Sequence, residues 1–132
     1  MTVTDPIADY LVMVKNAVKA FKEEVKIPAS QIKLEITKIL KEEGFVDNFK
    51  YEEDNKQGFI RILLKYGPKK EMVIKGIKRV SKPSKRVYCN HAKIPVVLRG
   101  LGICVISTSK GILTGAQAKR LKIGGEVICY IW

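Results

Sequence analysis

The chain has 132 residues, 46% hydrophobic and 29% charged, and its 25 Lys and Arg against 13 Asp and Glu give a formal net charge of +12. That length allows one ordinary domain or two small ones, and the apolar content excludes a disordered tail protein. No apolar run approaches the ~18 residues of a membrane span, and Met1 to Tyr10 carries no basic cluster before an apolar stretch, so the expectation is a cytoplasmic protein without a secretory signal.

Ile7, Leu11, Val14, Val18 and Phe21 recur at alternating spacings of four and three, which predicts a helix over residues 5–21. Thr4 is placed to cap it, and Pro6 fits its first turn. Val25 to Ile27 is a short strand closed by Pro28. Ser30 caps a second helix that runs to about Glu43, with Ile32, Ile36, Ile39 and Leu40 on its buried face and Gly44 as its stop. Phe45 to Tyr51 and Gly58 to Tyr66 are strands joined by a polar hairpin tip. Gly67-Pro68 turns the chain into a third strand, Met72 to Val80, where apolar and basic residues alternate. Residues 1–78 are therefore expected to form an α+β domain of two helices on a three-stranded antiparallel sheet.

The polar, basic run Ser81 to Arg86 reads as the junction to a second domain, residues 79–132, which is mainly β with short helices. Arg86 to Cys89 is a strand, and Asn90 to Leu98 a short helix with Pro95 inside it. Ile103 to Ser107 and Ile112-Leu113 are strands flanking a loop, Thr114 caps a helix over 115–121, and Gly124-Gly125 turns into a last strand, Glu126 to Trp132. That strand ends the sequence on an apolar run and is expected to be paired.

The charge is one-sided. Residues 1–68 hold 11 Lys and Arg and 11 Asp and Glu, whereas residues 69–132 hold 14 Lys and Arg and only two acids, Glu71 and Glu126. Such asymmetry points to a polyanion held by one end of the molecule. Three segments there could carry recognition. Ser107-Thr108-Ser109-Lys110-Gly111 offers hydroxyls, a cation and a close backbone approach to phosphates, ribose and base edges; the same residues also suit an ordinary hairpin turn. Gly124-Gly125-Glu126 combines exposed amides with a rare acid, or is simply a turn into a strand. Lys82, Lys85 and Arg86 surround Tyr88, a pattern for phosphate contact with a stacked base, or for a half-buried strand residue.

Little suggests catalysis or metal chemistry. His91 stands alone, no paired carboxylates or nucleophile elbow appears, and the leading Gly of a phosphate-binding P-loop is missing. Cys89, Cys104 and Cys129 are odd in number and lack metal-ligand spacing, so neither zinc nor a disulfide is expected, and no cofactor is called for. A non-catalytic RNA-binding protein is the leading expectation. An RNA-processing enzyme or accessory, and an adaptor for an acidic protein, are the competing classes.

Gly100-Leu101-Gly102-Ile103, the Ser107 to Gly111 loop and the tail Gly124 to Trp132 resemble the bacterial form of small-subunit ribosomal protein eight (the uS8 family). Thr4 to Asp9, Asn16-Ala17, Arg79 to Pro83 and Arg86 to Tyr88 extend the likeness over the whole chain, in order. Ser84 stands where that family usually has Gly, and Met13-Val14-Lys15 replaces a more basic stretch. The resemblance implies two small α+β domains, with helices packed on antiparallel or mixed sheets, in a protein that is a monomer when free. It implies binding to the central domain of 16S ribosomal RNA early in subunit assembly, beside neighbouring small-subunit proteins, and repression of its own operon mRNA. Ser107, Thr108, Ser109, Lys110, Gly111, Gly124, Gly125 and Glu126 match the family's main RNA-contact surface, with Tyr88 beside it. Thr4, Asp5, Lys15 and Asn16 match a second contact region.

Overall fold

A computed structural model describes residues 5–132, which form an α+β fold of two compact units. The first comprises Ile7–Ile74; the second comprises Lys75–Trp132 together with Asp5 and Pro6. The sequence expectation put the change after residue 78. The chain switches slightly earlier because Met72 to Val80 is not the third strand of the first sheet. Only Ile77–Arg79 (β4) is extended, and it pairs with the last strand of the second unit.

In the first unit, helix α1 (Pro6–Lys19) and helix α2 (Gln31–Glu42) accompany a sheet of strands β1 (Glu24–Pro28), β3 (Phe59–Leu64) and β2 (Val46–Glu52). The order is β1-β3-β2, antiparallel throughout, so the short Val25 to Ile27 segment supplies the third strand. In β3, Ile60, Ile62 and Leu64 are buried while Phe59, Arg61 and Leu63 point the other way, the period-2 pattern of a sheet with one packed face. Burying each Ile removes enough apolar surface to contribute about 2 kcal/mol. Tyr10, Leu11, Val14 and Val18 of α1 and Ile36, Ile39 and Leu40 of α2 complete that core, where the hydroxyls of Tyr10 and Thr37 lie 2.6 Å apart.

Helix ends follow local chemistry. Ser30 is the N-cap of α2 and accepts a hydrogen bond from the Lys33 amide. Gly44 adopts φ +80° beyond its C-terminus, where Gly44 N–H bonds Lys41 O and Phe45 N–H bonds Leu40 O, the double closure of a left-handed stop. Two expectations fail here. Ile32 is 43% exposed, because the buried stripe runs through Lys33, Ile36, Thr37 and Leu40, with Lys33 Nζ donating to Pro28 O. Phe21 does not extend the buried face of α1: the helix stops at Lys19, and Phe21 stands beyond it at φ +54°. Thr4, expected as the cap of α1 and as an RNA contact, lies outside the described residues.

The second unit is a five-stranded antiparallel sheet in the order β4-β8-β6-β7, with β5 also on β8. These are β5 (Tyr88–Cys89), β6 (Ile103–Thr108), β7 (Gly111–Thr114) and β8 (Gly125–Ile131). β8 is central, so Val127, Ile128, Cys129 and Ile131 are all buried, as its unbroken apolar run requires. Val97, Cys104, Ile106, Ala118 and Val127 form one core cluster. Helix α3 (Gly115–Arg120) starts in a capping box, the Thr114 hydroxyl accepting from Gln117 N–H and the Gln117 side chain accepting from Thr114 N–H. The short helix expected over 90–98 is a single 3-10 turn, His91–Lys93, capped by Asn90. Pro95 forces Ile94 into the extended region (φ −65°, ψ 125°), and the helix cannot continue.

Among the described residues, no helix is long and apolar enough to cross a membrane, and no group of three or more His, Cys, Asp or Glu residues is placed to hold a metal ion.

Candidate nucleic-acid interface

Strand register brings three of the singled-out segments together. Tyr88 of β5 and Ser107 of β6 both pair with Glu126 of β8, one on each side. Directly opposed residues of antiparallel strands share a face, so Tyr88, Glu126 and Ser107 form one row across the sheet. Tyr88 is 69% exposed, which leaves most of its ring open.

The Ser107 to Gly111 segment is a hairpin turn. Thr108 and Gly111 are its closing pair, and Gly111 takes φ +103°, which only glycine adopts without strain. The Thr108 hydroxyl is consumed inside the turn: it donates to Gly111 O at 2.8 Å and accepts from Lys110 N–H at 3.1 Å. Thr108 thus holds the turn, and the outward groups are Ser109 and Lys110, both exposed, with Ser107 half-buried on the row. The turn and recognition readings are compatible, because the turn aims the two remaining side chains.

Gly124 and Gly125 have a packing reason for being glycine. A Cβ on Gly124 would press on Asn90 Cα and the Cys89 carbonyl of β5. One on Gly125 would sit on the Ser107 carbonyl oxygen of β6, well inside contact distance. The pair lets three strands close around Glu126.

The run Ser81 to Arg86, expected as a junction, is a tight hairpin within the second unit. The backbones of Lys82 and Lys85 exchange hydrogen bonds of 2.9 and 3.0 Å, leaving Pro83-Ser84 at the tip. Ser84 keeps a negative φ, so the turn does not need glycine there. The base of this hairpin is fixed by a buried residue that sequence reasoning passed over as part of a polar turn. Ser81 is fully buried; its hydroxyl donates to Glu126 Oε2 and accepts from Val87 N–H at 3.2 Å. Arg86 donates to the same carboxylate oxygen at 3.0 Å. Burial works against ionisation of Glu126, but the hydrogen bonds from Ser81 and Arg86 and the charges of Arg86 and Arg79 outweigh it and hold the carboxyl below its ordinary range. Glu126 therefore acts as the anchor between the basic hairpin and the serine row.

Lys78, Arg79, Val80, Lys82, Lys85, Val87 and Tyr130 line a shallow pocket of about 330 Å³ with four cations and no acid. Arg79 is already committed, to Asp5 (Nε to Oδ2 3.2 Å) and to Ile128 O at 2.8 Å. Lys82 and Lys85 are exposed and enter no ion pair. Of the residues expected in a second contact region, Asp5 belongs to the second unit, whereas Lys15, half-buried, and Asn16, exposed, stand on α1 in the first.

Burial pushes the Cys104 and Cys129 thiols up to about 12, so both stay protonated at neutral pH as apolar core groups.

Fold and surface together define a two-unit α+β protein whose second unit sets the exposed Tyr88 in one row with Glu126 and Ser107, beside a basic hairpin. Residues 5–132 match the family model for ribosomal protein S8. The chain is 57% identical over 129 residues to small ribosomal subunit protein uS8 of Moorella thermoacetica, covering 98% of this chain and 99% of that one. It is 59% identical to the protein of that name from Desulforudis audaxviator, covering 98% of each chain. Identity to the Geobacillus kaustophilus protein is 54% over the full length of both. The chain belongs to the ribosomal protein S8 family.

Proposed function

We propose that this protein is a non-catalytic constituent of the small ribosomal subunit that binds the central domain of 16S ribosomal RNA and fixes its geometry during assembly. The observation that carries this reading is the row Tyr88–Glu126–Ser107, flanked by the serine turn and the basic hairpin. Lys82, Lys85 and Lys110 hold phosphates. Ser107 and Ser109 read ribose hydroxyls and base edges in the wide minor groove of A-form RNA, and Tyr88 stacks on an unpaired base. Glu126, saturated on Oε2 by Ser81 and Arg86, serves this surface chiefly by positioning. Lys15 and Asn16 of α1 add contacts from the first unit. The free protein is a monomer in the cytoplasm, adjoins other small-subunit proteins once bound, and represses its own operon mRNA where that message folds like the ribosomal site.

The experiment is a titration against a central-domain hairpin and a scrambled hairpin at several salt concentrations. Preference for the true hairpin that persists as salt rises supports structural readout; equal, steeply salt-sensitive binding to both overturns it. Ser109→Ala is expected to weaken binding by about 1–3 kcal/mol, mainly on the true hairpin. Lys85→Ala is expected to weaken both RNAs alike and to flatten the salt dependence by about one in slope.

A further inference from the structure

All three helices end in the same left-handed closure, with Gly44 after α2, Lys122 after α3 and Phe21 after α1. At Phe21 the closure is made by Phe21 N–H to Val18 O and Lys22 N–H to Ala17 O, both 3.0 Å. Glycine is the default residue there, and an L side chain is strained by about 1–2 kcal/mol. A bulky ring in this position is an outlier that calls for a reason. Burial does not supply one, since Phe21 is 56% exposed.

The ring instead pairs with Tyr66, with centroids 5.7 Å apart and planes inclined by 29°. Tyr66 is fixed in turn by its hydroxyl, which donates to Lys22 O at 2.6 Å. Around this pair the first unit's charge is not balanced. Lys19, Lys22, Lys69 and Lys70 lie in the two segments that carry the rings, all exposed and, among the described residues, in no ion pair, while the nearest acids in sequence are Glu23 and Glu71; Lys65, beside Tyr66, reaches instead toward Gly44. Glu71, exposed, accepts from the Lys69 amide at 2.9 Å. The two ring-bearing segments therefore hold a local basic excess, to which Lys69 and Lys70 of the basic half contribute.

We propose that Phe21 and Tyr66 form a stacking platform for an unpaired RNA base, with the surrounding lysines holding the adjacent phosphates. An exposed ring amid exposed cations suits a single strand better than a duplex, whose bases offer no free face. The platform lies just past the end of the helix that carries Lys15 and Asn16 and would extend that contact region. It rests on the RNA-binding reading only for the choice of nucleic acid, and it uses no residue of the second unit.

The test follows the aromatic NMR signals of Phe21 and Tyr66 in the full chain during titration with single-stranded hexa-adenylate. Both rings are expected to shift upfield as a purine stacks on them. In Phe21→Tyr the Tyr66 signal should titrate as in the wild type. In Phe21→Gly its midpoint should rise about 5- to 100-fold, while Tm stays level or rises because glycine suits the left-handed backbone. Unmoved ring signals, or a Tyr66 midpoint unchanged in Phe21→Gly, would overturn the platform. So would an equal shift on adding a hexaglutamate peptide, which would make the patch a protein-docking face. Ring shifts are read separately from the hairpin-versus-scrambled preference, so loss of that preference with ring shifts retained would fault the second-unit reading alone.

Discussion

Gly125→Ala is expected to destabilise the second unit by about 3 kcal/mol, the upper range for forcing extra volume into a packed site. The new methyl group would meet the Ser107 carbonyl oxygen, and also Ile106 Cγ2 at 3.0 Å. A flexible side-chain end could swing away, but a strand carbonyl within a ladder cannot. β6 and β8 must therefore separate at the row that holds Glu126. The unfolding midpoint of this unit should fall by roughly 10–20 °C, measured by thermal circular dichroism without RNA. An unchanged midpoint combined with weaker RNA binding would reverse the argument and make Gly125 a direct RNA contact rather than a strand spacer.

Glu126→Ala is the second large effect, and it carries a pH signature. Removing the carboxylate leaves the hydroxyl of Ser81, a fully buried residue, without its acceptor and frees Arg86 from the sheet. The orphaned hydroxyl is expected to cost about 1–3 kcal/mol near neutral pH, the exposed Arg86 adding little. The folded state lowers the Glu126 carboxyl below its ordinary 4.5. Its contribution is therefore complete above that value and is lost as pH falls through the lower, folded one. Urea unfolding at about pH 7 and about pH 3 should show a wide gap between wild type and variant that narrows in acid. A gap equally wide at both values would mean that the carboxylate's charge contributes nothing. Because the basic hairpin would keep its backbone bonds to β8 but lose its side-chain anchor, affinity for the true RNA hairpin should fall more than affinity for the scrambled one.

Local chemistry was legible in the sequence wherever a few neighbouring residues decide the outcome. Ser30 and Gly44 bracket α2, Thr114 caps α3, and Ser107 to Gly111 makes a turn, each as its side chains or backbone freedom dictate. What misled was information held elsewhere in the chain. The alternation in Met72 to Val80 announces an extended segment but not its partner, and β4 found β8 some fifty residues later. Phe21 continues the spacing of α1, yet the helix had already closed behind it. The candidate surface divides in the same way: its turns and its basic excess could be read directly. The alignment of Tyr88, Glu126 and Ser107 depends on two strand registers, and Ser81 gave no sign of being buried. The choice between turn and recognition, which composition alone left open, rested on the resemblance to a known family.

The central place of β8 also sets an order of events in time. Residues 7–74 find all their sheet partners among themselves and can collapse as soon as they have left the ribosome that makes them. β4, β5 and β6 must wait, since each pairs with β8 and has no stable sheet without it. The nascent chain therefore passes through a stage in which one half is folded and the basic half is not. During that stage the Tyr88–Glu126–Ser107 row does not exist. On the proposed RNA-binding reading, selective recognition begins only once residues 125–131 have docked between β5 and β6.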